Sequence, residues 1–515
     1  MTRPSRRASP DLRLALPAAA TWASVAAGAR LALSTALTIT AVLVAVAVVA
    51  ILRRTPTARL VCGAVLAGAA GLAVASLRAP ATGTRVLAAD ARQHASVTAD
   101  AVVTGDPQVV PSRSRTGRFL GALVVIRASA HRIHVGRRDL RLRAPVLVLA
   151  HGAAWQSLLP SQSVTVIGRL LPAQSGDSVA FALSARGPPL DVGSPSVVQR
   201  VAGRVRAGLR HAAGVLPANE RGLLPGLVDG DVSGLPEEVR DDFRTTGLTH
   251  LVAVSGANVA IVAAAAFGLA RALRLGLRGR AALAGAAIAG FVVLARPSPS
   301  VLRAAVMGSI GLAALATGRR RAGLPALSAA VLVLVLAEPS LATSDGFVLS
   351  VLATGGLLLV APRLRHRFGR WLPRWLAESL AVAVAAQLMT TPYIALRFSR
   401  VSLLSVPANL LAVTAVPPAT VLGVVAAALA PIWLPLARGV AFVAYLPTAW
   451  LIAVAHAGAA MPGAATSWPH GLTGGLSMVV VGLAVVVLTR LRRHRMERWS
   501  RGPAERAGIN DLDRR

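Results

Sequence analysis

The stretch from Gly222 to Val262 contains the residues whose types and spacing could do chemistry. Asp229 and Asp231 stand in a Gly-flanked turn, where carboxylates either stabilise the turn itself or contact a cation or a substrate. The next segment, PEEVRDDFRTT, has acids in its first turn and two apolar residues four apart, and Gly247 follows it. This pattern predicts a short amphipathic helix that ends at the edge of an apolar span, with Asp229 and Asp231 as entrance acids.

Three polar side chains, His250, Ser255 and Asn258, interrupt a span that is otherwise Leu, Val and Ala. A polar group in lipid is costly unless it has a partner, so we expect these side chains to face a bundle interior or a water-filled path. Hydrogen bonding between helices, with no substrate, is the simpler interpretation of Ser255 alone. For the whole group we favour a path, because Gly256 can interrupt the helix and polar residues recur in later spans. The predicted path residues are His250, Ser255, Gly256, Asn258, Arg303, Gln387 and Asn409.

A serine hydrolase is the enzymatic alternative for the same residues. The sequence VSG around Ser255 resembles the GxSG motif of rhomboid-type intramembrane proteases, with His250 as general base. The match is poor, because Ala253 replaces the first Gly and a His five residues away on one helix points away from the Ser. Metalloenzyme motifs such as HExxH are absent from the sequence. We therefore expect no catalytic residues, no metal site and no cofactor.

The composition predicts a polytopic membrane protein. Of 515 residues, 54% are hydrophobic and 15% are charged, and the mean hydropathy is +0.61. Many apolar runs reach the roughly 20 residues that a helix needs to cross a bilayer. The formal charge of +34 suggests anionic partners such as lipid headgroups or nucleic acid. All basic residues are Arg, however, and many lie in short loops, where membrane topology alone explains them. The single Cys62 excludes an intramolecular disulfide.

Between Arg78 and Pro195 the hydrophobic period changes from helical to two, which predicts β-strands. Five strand-like segments separated by turn residues favour a small barrel or OB-like domain. Its basic residues suit a single-stranded DNA backbone, but few aromatic residues are present for base stacking, so a solvated basic surface is the alternative. His131 and His134, three apart on one strand, should point to opposite faces and hold no metal. The predicted DNA-binding residues are Arg113, Arg115, Arg118, Arg127, Arg132, Arg137, Arg138 and Arg141.

Loop charges predict the topology. Arg-rich loops at Arg271–Arg280 and Arg363–Arg374 alternate with an Arg-free loop at Glu338–Asp345, which is the positive-inside pattern if His250 enters the membrane from outside. We predict a polytopic α-helical protein of the inner (cytoplasmic) membrane with about twelve transmembrane helices and a small extracytoplasmic β-rich OB-like domain inserted after the N-terminal helices. The predicted regions are a basic tail and weak first helix (1–30), N-terminal transmembrane helices (31–77), the OB-like domain (78–196), amphipathic linker helices (197–248), the main transmembrane bundle (249–489) and a basic cytoplasmic tail (490–515).

Several longer stretches of the sequence resemble the motifs of a known protein family. FRTTGLTHLVAVSGANVAIV, which begins at Phe243, is similar to the signature "tGlsHLlAvSGlHv". LRAAVMG, SDGFVLSVLATGGLLL and ESLAVAVAAQLMTTPYIALRFSRVSLLSVPANLLAV match further blocks in the same order. On these motifs the chain resembles the ComEC family of competence proteins between Gly222 and Val424. Two positions depart from the family pattern: Asn258 replaces the usual His, and Val348 stands where the family has Gln, so a polar contact is altered or lost at each.

The resemblance implies a channel that passes one strand of transforming DNA into the cytoplasm, with the external OB-like domain handling the incoming DNA. It also implies partners: single-stranded DNA, membrane lipids and other competence proteins, namely a DNA receptor and a cytoplasmic translocation ATPase. The sequence to Arg515 does not include the C-terminal metallo-β-lactamase-like domain of many members, so we expect strand degradation to need a separate nuclease. A secondary transporter of a small solute, suggested by broken helices with central polar groups, is the alternative. The positions that match the family motifs are His250, Ser255, Gly256, Arg303, Gln387 and Asn409.

Overall fold

The described part of the chain is mostly helical, with one larger β-sheet. The structure is a computed structural model that describes residues 13–28, 33–52, 56–78, 87, 89–113, 119–172, 179, 181–252, 254–296, 298–317, 323–398, 400–469 and 471–484. These residues belong to two compact units. The first unit contains the described residues of Met1–Arg244, Leu248–Val351 and Leu411–Ala457, and the second those of Thr245–Gly247, Leu352–Leu410 and Gly458–Arg515.

Three apolar helices open the chain, where the sequence predicts them. They are α1 (Ala15–Gly28), α2 (Leu33–Leu52) and α3 (Pro56–Arg78). Small residues let α1 and α3 approach closely. The Thr21 hydroxyl donates to the Ala67 carbonyl oxygen at 2.9 Å, and a Cβ atom on Gly71 would lie 2.6 Å from Ser24 Oγ. The helix pair is therefore joined by van der Waals contact and one hydrogen bond between helices.

The β region is a six-stranded sheet in the order β1-β5-β6-β4-β3-β2. A further β1–β3 pairing closes five of the strands into a ring, and the β4–β6 pair is the parallel one among these neighbours. All five predicted segments form strands. The sixth, β2, was not predicted, because Pro111 lies within it, and Pro is tolerated in a strand at the edge of a sheet. The strands are β1 (Ser96–Val103), β2 (Gln108–Arg113), β3 (Phe119–Val135), β4 (Arg138–Ala150), β5 (Ser163–Pro172) and β6 (Phe181–Ala185).

Alternate residues of the ring strands form an apolar core. Ile126, Ile133 and Leu183 are fully buried in it, and the indole of Trp155, on the short helix α4 (Ala153–Gln156), covers one end. The Trp155 Nε1–H donates to the Gly187 carbonyl oxygen at 3.0 Å, so its polar group is satisfied as it is buried. The polar residues of the same strands consequently lie on the outer surface.

Four helices connect the β region to the main bundle. They are α5 (Val197–Ala213), α6 (Ala218–Val228), α7 (Glu237–Thr245) and α8 (Thr249–Val252). The sequence predicts an amphipathic linker helix here, and the face of α5 with Leu209, Ala212 and Ala213 is fully buried in an apolar core. Helix α7 agrees with the predicted amphipathic helix: Val239 and Phe243 are buried.

The first unit continues through helices that share apolar cores. These are α9 (Gly256–Ala272), α10 (Leu277–Ala295), α11 (Pro299–Ala316), α12 (Gly323–Ala337), a 3-10 turn (Pro339–Thr343) and the start of α13 (Asp345–Leu359). Val259, Phe291 and Val301 bring α9, α10 and α11 into one core. The predicted span from His250 to Ala270 consists of two helices, since α8 ends at Val252 and α9 begins at Gly256, the residue that the sequence predicts as a possible interruption.

The second unit contains the longest helix of the described residues and its neighbours. Its elements are the end of α13, α14 (Ala361–Phe368), α15 (Arg374–Arg397), β7 (Arg400–Ser402), the start of α16 (Ser405–Ala412), β8 (Ala465–Ser467) and α20 (Gly471–Ala484). The first unit also holds α17 (Val416–Leu429), α18 (Leu434–Val443) and most of α19 (Tyr445–Ala459). In the second unit a Cβ atom on Gly356 of α13 would lie 2.7 Å from the Ala385 carbonyl oxygen, so α13 and α15 touch through backbone.

Helices that are long and apolar enough to cross a membrane are present among the described residues. Three single helices qualify, α10, α11 and α15. Three bent pairs also qualify if each pair is one span: α13 with α14 at 47°, α16 with α17 at 52°, and α18 with α19 at 42°. Shorter apolar helices accompany them, including α9, α12 and α20. Pro417 and Pro418 predict the α16–α17 bend from the sequence, whereas the bend between α18 and α19, within the predicted span from Leu436 to Ala457, was not predicted.

Candidate substrate path and nucleic-acid interface

The apolar segment around Ser255 is broken by a short extended stretch. Gly247 has a φ of +74°, which ends the amphipathic helix before it, as predicted. After α8 the chain is extended at Ser255, with φ −106° and ψ 163°, and Ser255 is the N-cap residue of α9. The Ser255 side chain does not cap the helix. The break thus leaves the first turn of α9 with backbone N–H groups that no side chain of its own cap residue satisfies.

Asn258 connects the start of α9 to the end of α6. Its side chain is 2% exposed, and its Nδ2–H donates to the Leu227 carbonyl oxygen at 2.8 Å. Its Oδ1 accepts a hydrogen bond from Ser255 Oγ at 3.1 Å. Both ends of the amide are therefore occupied, and Asn258 acts as a structural tie in this conformation. The Ser255 hydroxyl is bonded to an amide rather than to a His ring, which weakens the serine-hydrolase interpretation.

A second polar group lies at the same helix start. Gly256 N–H donates to Ser300 Oγ at 3.2 Å, and Ser300 Oγ lies 3.1 Å from Ser350 Oγ. Arg303 is 7% exposed, and its Nε–H donates to Ser350 Oγ at 2.9 Å. The predicted path residues Gly256 and Arg303 are thus brought into one cluster, and the structure adds two hydroxyl groups, Ser300 and Ser350, to it.

The turn after α6 carries the two predicted entrance acids. Asp229 is 4% exposed; its Oδ1 accepts the Asp231 N–H at 2.9 Å, whereas its Oδ2 is buried without a hydrogen-bond partner. Burial raises the pKa of Asp229 to about 7. Asp231 Oδ2 accepts from Arg210 Nη1 at 2.9 Å and its Oδ1 accepts from Ser233. Desolvation acts upward on the pKa of Asp231, but the bonds from Ser233 and Arg210 outweigh it and lower that pKa.

Arg206 of α5 faces the same turn. It is 3% exposed, and its Nη1 donates to the carbonyl oxygens of Leu294 at 2.9 Å and Val293 at 3.4 Å. These carbonyls belong to the last turn of α10, whose oxygens have no partner within the helix. Burial lowers the pKa of Arg206, while the nearby carboxyl of Asp229 acts in the opposite direction. A cation at the C-terminus of α10 and a buried acid in the adjacent turn therefore lie at the same corner of the first unit.

The other predicted path residues are more separate. His250 is exposed on α8. Gln387 and Asn409 belong to the second unit, where both are half-buried. The Gln387 carbonyl oxygen accepts the Thr391 hydroxyl at 2.7 Å, and Asn409 Nδ2–H donates to the Ser405 carbonyl oxygen at 2.7 Å. The Asn409 amide thus bonds backbone of its own helix, and whether Gln387, Asn409 and the Arg303 cluster line one path stays a prediction.

Part of the predicted DNA-binding set lies on neighbouring strands of the sheet. Arg132 of β3 is directly opposite Arg141 of β4, and both side chains are on the outer surface with the exposed Arg127. Acidic residues neutralise the patch in part, since Asp139 Oδ1 lies 3.9 Å from Arg132 Nε. Of the remaining predicted residues, Arg137 and Arg138 are in the β3–β4 turn region, Arg113 is the last residue of β2, and Arg115 and Arg118 lie outside the described residues.

His131 and His134 lie on the outer side of the ring, which corrects the prediction of opposite faces. In the β1–β3 pairing, Asp100 is opposite Arg132 and Ala101 is opposite Ala130, so His131 is an extra residue of β3 that has no partner on β1. Ile133 remains fully buried, while His131 is exposed and His134 is half-buried. His134 Nδ1 lies 3.6 Å from Asp139 Oδ1, so this ring lies beside the ion pair of Arg132 and Asp139.

Comparison with known proteins identifies the family. The family profile described as Competence protein matches residues 227–493, which is more than half of the chain. The chain belongs to the competence protein (ComEC) family. ComE operon protein 3 of Bacillus subtilis (strain 168) is similar to this chain, at 30% identity over 201 residues, or 39% of this chain. The match spans 25% of that relative's length. No solved structure matches the chain.

Of the residues that the path prediction omitted, Arg206 could have been identified from the sequence, whereas Ser300 and Ser350 could not. The competence-family segment contains Ser300 and Ser350, whose types are ordinary in membrane helices, and only the fold brings them beside Arg303. Arg206 precedes that segment, and its helical spacing to Ala202 and Leu209 places it on the apolar face of α5. A charged residue at a buried helical position is the pattern that would have identified Arg206 from the sequence.

Proposed function

We propose that the protein is a channel of the cytoplasmic membrane through which one strand of transforming DNA enters the cell. The observation that carries the proposal is the cluster of Gly256, Ser300, Arg303 and Ser350 at a break in the apolar helices, inside the segment that matches the competence family. Hydroxyl groups, a helix start and one cation in such a place suit a hydrated path for a polar substrate. No catalytic step is part of this proposal.

The β region supports the second part of the proposal, an OB-like domain that handles the incoming strand. A closed ring of five strands with one parallel pair is consistent with a small Greek-key barrel. OB-folds bind oligonucleotides on the face of their second and third strands. In the ring, β3 and β4 hold these positions, and they carry Arg127, Arg132 and Arg141. The basic surface therefore lies on the strands that such a domain uses.

The remaining parts of the proposal concern the membrane and the partners. We place the β domain outside, the Arg-rich loops at Arg271–Arg280 and Arg363–Arg374 inside, and the number of crossings at about twelve. The long helices, the bent pairs and the shorter apolar helices supply candidate spans. Single-stranded DNA, membrane lipids and other competence proteins are the proposed partners, with a DNA receptor, a translocation ATPase and a nuclease among them.

Deletion of the gene in a naturally competent host tests the channel directly. Transformation with marked DNA should fall to background, and the intact gene supplied in trans should restore it. DNA binding at the cell surface should persist in the deletion strain, because the proposed step lies after capture by a receptor. Undiminished transformation in the deletion strain would contradict the proposal.

Charge reversal on the full-length protein tests the DNA-binding surface. Arg132→Glu with Arg141→Glu should weaken binding of a single-stranded oligonucleotide and reduce the salt dependence of its affinity by about one unit of slope per lost phosphate contact. Arg169→Glu, an exposed substitution on β5 outside the predicted set, is the matched control. Equal losses from the control and from the paired variant would indicate a general charge effect and no specific surface.

A secondary transporter of a small solute is the second candidate. The three bent helix pairs favour it, because broken helices with polar groups at the break are common at transporter binding sites. The two candidates differ in their substrate. Salt-dependent binding of single-stranded DNA by the full-length protein is expected for the channel and not for the transporter.

A further inference from the structure

In the first turn of α9, a helix N-terminus without a side-chain cap lies beside a buried cation. The helix is 17 residues long, and its N-cap residue, Ser255, directs its hydroxyl to Asn258 and not to the helix N–H groups. Gly256 N–H has one weak partner, Ser300 Oγ at 3.2 Å. The N–H groups and the helix dipole at such a terminus attract anions.

Arg303 supplies an independent indication of an anion. Its side chain is more than nine-tenths buried, and among the described residues no carboxylate lies within ion-pair distance of it. Nε is bonded to Ser350 and Nη1 to the weak thioether acceptor of Met307 at 3.3 Å. Nη2 has no hydrogen bond within the described structure, and a buried guanidinium without a counter-charge is unfavourable.

The free Nη2 group points at the first turn of α9. A Cβ atom on Gly256 would lie 2.8 Å from Arg303 Nη2 and 3.1 Å from Ala304 Cβ. Glycine is therefore the residue that allows the guanidinium to approach the helix start. An anion bound there would accept from Nη2, from first-turn N–H groups and from the Ser300 hydroxyl. Donors that converge from several directions suit the tetrahedral oxygens of a phosphate better than a planar carboxylate.

We propose that the start of α9 and the Arg303 guanidinium form a binding site for a single phosphate group. That this phosphate belongs to a DNA strand rests on the proposed function; a lipid headgroup and free phosphate share the chemistry. In a channel, the site would hold successive phosphodiester groups of the strand one at a time. Contact with the backbone and not with the bases makes such a site independent of sequence.

The test uses the full-length protein in a phosphate-free detergent. The probes are inorganic phosphate alone, phosphatidylglycerol, a short oligothymidylate, and the same oligothymidylate with uncharged methylphosphonate linkages. The variants are Arg303→Lys, which keeps the charge but loses the planar fork, and Gly256→Ala, which displaces the guanidinium. Gly268→Ala on the same helix is the control, because nothing lies within 4 Å of its Cβ position. Melting temperature without probe verifies that each variant folds, and Arg303→Lys carries the test if Gly256→Ala does not fold.

We expect both variants to weaken binding of the phosphodiester oligonucleotide and of inorganic phosphate about tenfold, which corresponds to the loss of one charge-assisted hydrogen bond. Gly268→Ala should bind as the wild type does, and the variants should not change the affinity for the methylphosphonate probe. If the variants lose affinity only for phosphatidylglycerol or inorganic phosphate, the phosphate site stands, but the phosphate that it binds does not come from DNA. Folded variants that bind every phosphate probe as the wild type does would overturn the site, even in a host where deletion abolishes transformation.

Discussion

The buried carboxyl of Asp229 predicts that the stability of the protein falls as the pH rises toward neutrality. In the folded protein the pKa of Asp229 is raised from 3.8 to about 7 by burial. The folded state therefore binds the proton more tightly than the unfolded state does. Below about pH 4, Asp229 is protonated in both the folded and the unfolded state and does not change the free energy of unfolding. As the pH rises, this free energy decreases until the pH passes the raised pKa.

The size of the effect follows from the shift. The change from 3.8 to about 7 corresponds to roughly 4 kcal/mol of lost stability above neutral pH, since one pKa unit is about 1.36 kcal/mol. Between about pH 5 and about pH 8 the loss amounts to roughly 2 to 3 kcal/mol. Asp229→Asn removes the titration and retains an oxygen for the Asp231 N–H. The charged groups that face Asp229 are Arg206 and Arg210 of α5 and Asp231 of the same turn.

Thermal unfolding in detergent, followed by Trp fluorescence, tests this prediction. Asp229→Asn should melt above the wild type at about pH 8, and the gap should shrink steadily as the pH falls to about 5. Asp231→Asn is the matched control with the opposite sign, because the folded pKa of Asp231 is lowered and its stabilisation is lost only as the pH falls through that value. At about pH 8 this control should melt below the wild type. A gap between Asp229→Asn and the wild type that does not vary with pH would refute the assignment of a proton to Asp229.

Two further predictions concern packing and contact between elements. Arg296, in the turn between α10 and α11, forms an ion pair with Asp106, in the turn between β1 and β2. A double-mutant cycle of Arg296→Ala and Asp106→Ala, measured by thermal unfolding, should give a coupling energy of about 1 kcal/mol. This value is discounted for the partial exposure of Asp106. Additive losses would mean that the pair contributes nothing. Gly222→Ala should destabilise by about 1 to 3 kcal/mol, because its Cβ would collide with the backbone of Gly234. Gly290→Ala, with nothing within 4 Å, should be neutral or stabilising, and equal effects of the two alanines would contradict the packing argument.

Local patterns predicted much of the fold because they encode burial directly. The change to period two after Arg78 predicted every ring strand, and the apolar runs before it predicted α1, α2 and α3. The outer positions of His131 and His134 were not predictable in the same way, because a bulge at His131 of β3 shifts its register against β1 by one residue. An alternating strand pattern predicts which face of the sheet each side chain occupies only where the strand pairing contains no bulge.

The sequence predicted some residues of the candidate site but not the contacts between them. A buried Arg and a helix-breaking Gly are unusual in apolar spans, which is why Arg303 and Gly256 were identified from the sequence. Ser350, about fifty positions further along the chain, is an ordinary residue whose role depends on the packing of its helix against α11. Nothing in the local sequence around Gln387 or Asn409 likewise predicts that both belong to the second unit.

The bent helices differ from the break before α9 in their physical cause. Each bent pair has a proline early in its second helix: Pro362 in α14, Pro417 in α17 and Pro447 in α19. A proline clashes with the carbonyl four residues before it and donates no N–H, so each of these bends has a local chemical cause. The stretch from Ala253 to Asn258 contains no proline.

The break before α9 instead depends on partners from distant parts of the chain. Asn258 is bonded to Leu227, Gly256 to Ser300, and Arg303 approaches the Gly256 Cα through the space that a side chain would fill. A kink encoded by proline persists whatever surrounds it, whereas an extended stretch held by hydrogen bonds between helices can respond to a ligand that competes for those bonds. A phosphate that accepts from the Gly256 N–H would replace Ser300 as its partner. At the proposed phosphate site, substrate binding and helix packing would therefore compete for the same groups.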